Sequence, residues 1–299
     1  MKIGLVLSGG GGKGAYELGV WKALKELDID KYITVFSGTS IGAFNAVLFA
    51  QDDIKAAEAL WEEVTIEQLV PLSKLMLLRK GIELTIGGRY INFVKKYMQH
   101  KFEVGVTTKD GATELANRYL KIDVVKKRGK SCYVACAELP DLKAKYFKIT
   151  DYADFLAREM VIASASLPLI YDCSEIEGLK YIDGGLADNT PIKPVYDEGC
   201  EIIIVVLLSK ESKVDKSLYP NSRIIEIIPR SLEGNVIKGI LNLDMITKRN
   251  RIKEGYIDTI NLLEPIMFLA LLKKDMEESK KHSKISKIHS WVKRLQGNK

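Results

Sequence analysis

Cysteine and histidine are both scarce in this chain, with 4 and 3 copies in 299 residues. Cys132, Cys136, Cys173 and Cys200 form no Cys-x-x-Cys pair and have no histidine near them in sequence. That pattern excludes a zinc site and a disulfide framework, and no metal or other cofactor is expected. Cys132, Val134 and Cys136 alternate with period two, as small residues sharing one buried strand face do. Long apolar runs are also lacking, so no segment is expected to span a bilayer. The first apolar run is too short for a signal peptide and passes directly into glycines. Together with unpaired thiols, this predicts a cytoplasmic protein. No Gly/Ser/Pro-rich linker and no internal repeat breaks the chain. A composition of 46% hydrophobic and 28% charged residues supports one large core.

Glycine, by contrast, is concentrated where it is informative. Ile3 to Leu7 reads as a buried strand, followed by Ser8 and then Gly9-Gly10-Gly11-Gly12-Lys13-Gly14. Ala15, Leu18, Trp21, Leu24 and Leu27 then recur at helical spacing. Consecutive glycines at a helix N-terminus expose backbone N–H groups to a negative charge, either a phosphate or the oxyanion of an acyl-transfer intermediate. Gly9-x-Gly11-x-x-Gly14 also matches the dinucleotide fingerprint. That fingerprint expects an acidic residue at the end of the second strand, where this chain has Phe36-Ser37-Gly38-Thr39-Ser40. A Walker-type loop fits worse, since Gly14 rather than Ser or Thr follows Lys13. A non-catalytic nucleotide-binding or regulatory protein is therefore the alternative of another class.

Gly38-Thr39-Ser40-Ile41-Gly42 follows a second apolar run and precedes an amphipathic helical stretch from Ala43. Strand, sharp turn and helix form the context of a nucleophile elbow, which projects a serine oxygen beside a helix N-terminus. A third segment, Tyr181-Ile182-Asp183-Gly184-Gly185, continues through Leu186-Ala187-Asp188-Asn189-Thr190-Pro191. Alone, its Asp-Gly-Gly reads as a turn. Its meaning comes from the other two segments.

In this order the three segments resemble the patatin-like phospholipases of bacterial type, lipid acyl hydrolases with a Ser-Asp dyad. The family pattern is Gly-Gly-Gly-x-Arg/Lys-Gly, an early Gly-x-Ser-x-Gly and a later Asp-Gly-Gly/Ala. Ala163-Ser164-Ala165-Ser166-Leu167-Pro168 resembles the small-residue segment that precedes the aspartate. The likeness covers roughly residues 1 to 210. It implies Ser40 as nucleophile, Asp183 as base, and the N–H groups of Gly10, Gly11 and Gly12 as oxyanion hole. Gly9, Lys13, Gly14, Gly38, Gly42, Gly184 and Gly185 would support them. Burial against Tyr181 and Ile182 would raise the aspartate pKa and improve it as a base. The rival scheme is a Ser-Asp-His esterase. Its chain order leaves only His282 and His289, both in a lysine-rich stretch, while His100 closes a polar segment.

Strands are expected at 2–8, 32–37, 131–138, 144–149, 201–208 and 223–228. Helices are expected at 14–27, 41–50, 53–63, 112–120, 152–164, 192–199 and 244–263. This alternation predicts a three-layer α/β/α fold with a mostly parallel central sheet and helices on both faces. The less regular stretch from Thr65 to Lys109 reads either as a packed helix or as a lipid-contacting lid.

The domains expected are an acyl hydrolase domain over 1–272 and a basic tail over 273–299. That tail holds nine Lys or Arg against three Asp or Glu, which accounts for the whole net charge of +6. Ile285, Ile288, Trp291, Val292 and Leu295 recur at helical spacing within it. Such a helix suits an anionic membrane surface, giving a peripheral contact, or packs its apolar face on the core. Nothing resembles a nucleic-acid-reading motif, and no nucleic-acid partner is expected.

Overall fold

The computed structural model describes residues 2–70, 105, 107–168, 170–232 and 236–296. It divides into two compact units, Met1–Asp258 and Thr259–Lys299. The first holds one eight-stranded sheet. Its strands are β1 (Ile3–Leu7), β2 (Ile33–Thr39), β3 (Ser131–Glu138), β4 (Lys143–Lys148), β5 (Ser174–Ile176), β6 (Leu179–Asp183), β7 (Ile202–Val206) and β8 (Arg223–Ile227). The order is β5-β6-β3-β2-β1-β7-β8, with β4 also paired to β3. Neighbours from β3 through β8 run parallel, whereas β4 and β6 pair antiparallel to β3, and β5 antiparallel to β6. The sheet is thus mixed and mostly parallel, with helices on both faces.

The helices described are α1 (Ala15–Glu26), α2 (Ile41–Ala50), α3 (Ile54–Glu63), α4 (Ile66–Leu69), α5 (Asp110–Tyr119), α6 (Ile122–Lys127), α7 (Asp154–Ser164), α8 (Lys193–Asp197), α9 (Val236–Leu241) and α10 (Met245–Gln296). Strand alternation sorts the two faces. On one, Val6, Val35, Ile203 and Val205 pack with Ile192 and Val195 around α8. On the other, Phe36 meets Trp21 of α1 edge-on at 5.9 Å, and Trp21 stacks on Phe49 of α2 at 5.1 Å. Such aromatic pairs add about 0.5–1.5 kcal/mol each beyond the area they bury. The start of α10 crosses α1 backbone to backbone. A Cβ on Gly19 would lie 1.9 Å from the Ile252 carbonyl oxygen, so only glycine fits there. The Tyr16 hydroxyl donates to Asp258 at 3.2 Å across the same contact.

Three differences from the sequence expectations concern element bounds, two of them at short or polar elements. The β5–β6 hairpin was not expected as strands, because its residues are few and Glu175, Leu179 and Lys180 are not buried. The helices α4, α6 and α9 have four to six residues each and too little periodicity to read. The last helix continues to Gln296 rather than ending near 263. One expectation is overturned. Met245–Lys274 contains an 18-residue window of mean hydropathy 1.4, so a helix long and apolar enough to cross a membrane does exist by length and composition. Asp258 and Glu264 interrupt that apolar stretch in sequence, which hid it. Of the stretch from Thr65 to Lys109, residues 71–104 and 106 lie outside the described residues.

Candidate active site

Ser40 sits in the single residue between β2 and α2. Its backbone has φ 55 and ψ −123, a region that residues with a side chain rarely occupy. Two glycines make this turn sterically feasible. A Cβ on Gly38 would lie 2.1 Å from the Gly42 carbonyl oxygen, and one on Gly42 would lie 2.5 Å from that of Leu7. The turn therefore closes onto the end of β1 and lifts the serine side chain out of the sheet.

Asp183 arrives from the antiparallel side. Thr39, the last residue of β2, pairs with Ala135, but β3 runs on to Glu138. The overhang carries β6, which returns antiparallel and ends with Asp183 opposite Cys136. The carboxylate thus reaches the level of Ser40. The Ser40 hydroxyl donates to Asp183 Oδ2 at 2.9 Å, and the Gly185 N–H donates to Oδ1 at 2.8 Å. Asp183 is 1% exposed. Burial pushes its pKa up to about 6, against the lowering effect of the bonds from Gly185 and Ser40. Gly184 opens the following turn, and a Cβ there would lie 2.1 Å from the Ala135 carbonyl oxygen.

The glycine run forms a tight 3-10 turn, Gly11–Gly14, leading into α1. Gly11 adopts φ +53, which favours glycine. The N–H groups of Ser8 and Gly9 donate to the Val206 and Asn189 carbonyls, and that of Lys13 to Gly10. Among the described residues, those of Gly10, Gly11 and Gly12 lie between these used donors, at the open start of the turn. Lys13 is buried with its ammonium 3.4 Å from the Leu208 carbonyl oxygen. Gly14 offers its carbonyl to the Asn45 side chain at 3.0 Å.

Several site residues were not singled out from sequence. The Ser164 hydroxyl accepts the Ser40 N–H at 3.0 Å and donates to the Ala135 carbonyl at 2.6 Å. It thereby satisfies the amide of the strained residue. Asn189 clamps Gly9, accepting the Gly9 N–H on its carbonyl and donating its side-chain amide back to the Gly9 carbonyl, both at 3.1 Å. Thr39 donates to the Asp188 carbonyl at 2.8 Å, and Tyr146 to the Asp188 carboxylate at 2.7 Å. Beneath the glycine turn, Asn45 of α2 donates to Glu17 of α1 at 2.7 Å and accepts from the Trp61 indole of α3 at 3.0 Å. Glu17 is fully buried, and burial holds its pKa well above the ordinary carboxylate value. For Ser164, Asp188 and Asn189 the sequence signal lay in the segments 163–168 and 186–191, and for Thr39 in the Gly38–Gly42 motif.

Two cavities meet at Ser40. One, of about 110 Å³, is apolar and lined by residues including Ile41, Phe44, Trp61, Leu115 and Tyr171. The other, of about 510 Å³, is more polar and includes Gly10, Lys13, Asp183, Asn189 and Ser212. Among the described residues no group of histidine, cysteine and carboxylate side chains is arranged to hold a metal ion. Cys132 and Cys136 are buried in β3, as their spacing predicts. His100 lies outside the described residues, as do the side chains of His282 and His289.

A strained serine after β2, a buried carboxylate bonded to it and a glycine turn thus line one cavity. The patatin-like phospholipase profile matches residues 5–196, and the chain belongs to that family. Membership implies lipid hydrolase chemistry. Among curated relatives, lysophospholipase nte1 of Aspergillus terreus is 27% identical over 213 residues, covering 68% of this chain and 12% of that protein. Lysophospholipase NTE1 of Saccharomyces cerevisiae is 26% identical over 208 residues, covering 68% of this chain and 10% of that protein. The chain therefore matches only about a tenth of the length of these relatives. Among solved structures, VipD from Legionella pneumophila aligns with TM-score 0.50 at 17% identity, covering 88% of this chain and 67% of that one. That likeness concerns the fold.

Proposed function

We propose that this chain is a serine acyl hydrolase of phospholipase A type, cleaving a carboxylic ester of a lipid through an acyl-enzyme. The observation that carries the reading is the direct bond from Ser40 Oγ to the buried Asp183 carboxylate at a strained strand–helix turn. A serine hydroxyl is a weak nucleophile until an adjacent base accepts its proton. A carboxylate with a pKa near 6 is a better base than an exposed aspartate and is still ionised at neutral pH.

In the first step Ser40 Oγ attacks the ester carbonyl as its proton passes to Asp183. The carbonyl oxygen becomes an oxyanion, which the N–H groups of Gly10, Gly11 and Gly12 would stabilise. The intermediate collapses, the alcohol leaves with the proton from Asp183, and Ser40 carries the acyl group. In the second step a water attacks the acyl carbonyl and gives its proton to Asp183. Collapse releases the fatty acid and returns a proton to Ser40. The scheme uses no metal. The apolar cavity suits the acyl chain and the polar one the alcohol or headgroup. The names of the curated relatives support a lysophospholipid as the first substrate to try.

We place the hydrolase unit in residues 1–272, with 273–299 as a basic tail that contacts anionic lipid from the cytoplasm. Truncation after Leu272 should leave the fold intact and weaken sedimentation with anionic vesicles. The site itself is tested by fluorophosphonate labelling of the wild type, Ser40→Ala and Asp183→Asn. Labelling lost in Ser40→Ala and strongly reduced in Asp183→Asn supports the dyad. A folded wild type that resists labelling even with vesicles present, and binds nucleotide tightly, would sink it. Labelling lost on replacing His282 and His289 together would favour the triad instead.

A further inference from the structure

Within the second unit, α10 exposes a run without a polar residue, Ile266 through Leu272. Ile266, Phe268, Leu269, Leu271 and Leu272 are between 43% and 65% exposed. Successive helical residues turn by about 100°, so these side chains point all round the helix rather than along one stripe. Their surroundings differ on the two sides. Leu263 is 4% exposed and Thr259 is fully buried. Lys273 and Lys274 follow at once, leading into a stretch that carries the chain's whole excess of positive charge.

We infer that residues 266–272 insert into the acyl region of an anionic bilayer, with the lysines after them at the headgroups. The occupant follows from two features. A second copy or a grooved protein covers a stripe and leaves a polar face, whereas this segment has no polar face to leave. The adjoining positive charge complements anionic lipid, and lysine stems let ammonium groups stay in the headgroup layer. Depth follows from length. Seven residues rise about 10 Å, a third of the roughly 30 Å hydrocarbon core, so the segment enters one leaflet and does not cross. The 18-residue apolar window in Met245–Lys274 is therefore a shallow anchor. This inference borrows from the hydrolase reading only its lipid substrate. It also differs from contact by the tail, whose lysines add a Coulombic share that salt screens.

The test uses the full chain and vesicles of phosphatidylcholine with and without phosphatidylglycerol. Leu269→Trp is compared with wild type in vesicles brominated at different acyl depths. The extra tryptophan should be quenched most by bromines in the upper acyl chain. The double variant Phe268→Glu/Leu269→Glu should lose on the order of tenfold or more in vesicle partitioning, including the part that survives high salt. Hydrolysis of a soluble short-chain ester should be unchanged in that variant. Unquenched Leu269→Trp, or wild-type partitioning of the double variant, would overturn the inference. So would a concentration-dependent dimer that the double variant dissolves in the absence of lipid, because a second copy would then be the cover. A wild type that inserts yet never labels at Ser40 would overturn the hydrolase reading and leave this one standing.

Discussion

Ser40 and Asp183 are 2.9 Å apart yet are held by opposite means. Ser40 comes from the parallel half of the sheet, is half-buried, and sits in a backbone conformation at φ 55. Asp183 comes from the antiparallel half, sits in ordinary backbone, and is almost wholly removed from water. The serine is made available by conformational strain and the aspartate is made basic by desolvation. The stability cost of the pair is therefore divided between backbone and electrostatics, and each part is separable by substitution.

The largest effects test whether both halves are needed. Ser40→Ala should lower kcat/KM by about four orders of magnitude or more, because no other nucleophile stands at the elbow. Asp183→Asn should cost about as much in turnover. It should also stabilise the fold by on the order of 1–3 kcal/mol at pH 7, measured by urea denaturation. The sign follows from linkage. In the folded protein the carboxyl keeps its proton up to about pH 6, whereas the unfolded chain releases it near 3.8. Stability from this group is thus full below pH 3.8 and falls as pH rises through 6. Activity runs the other way: kcat/KM should rise with pH through about 6 and level off above, as the base ionises. A profile flat down to pH 4 would contradict the desolvated base.

Smaller effects sharpen the serine side of the comparison. Ser164→Ala removes the acceptor of the Ser40 N–H and should lower kcat by on the order of tenfold to a hundredfold, with little change in KM. Ser40→Gly relieves the strained turn. It should stabilise the protein by about 1 kcal/mol relative to Ser40→Ala, read as a shift in melting temperature. Equal stability of those two variants would remove the strain from the account.

The motifs were legible because each is a local turn, and local turns are written in consecutive residues. Gly38 and Gly42 stand four apart because one short turn brings their backbones into contact. The partners that secure the site were not legible, because their bonds close over long stretches of chain. Ser164 and Ser40 are 124 residues apart, and Asn189 and Gly9 180. No periodicity announces such a bond. Glu17 is the clearest case. No motif singles it out, yet it is buried against Asn45 under the glycine turn. The parallel core strands were evident from apolar runs, whereas the β5–β6 hairpin that delivers Asp183 is short and partly polar.

The overhang of β3 past β2 makes the chemistry a question of registry. Side chains on β6 alternate between faces, so a slip of one residue against β3 turns every one of them over. Ile182, now packed with Ala137, Leu139 and Leu142, would then face Ser40, and the carboxylate would enter that apolar cluster. A chain with one residue gained or lost in the Glu177–Gly178 turn would keep most of its sheet and lose its reaction. Homologous hairpins should therefore hardly vary in length at this turn, and residue type there is held to those that accept the positive φ of Glu177 and Gly178.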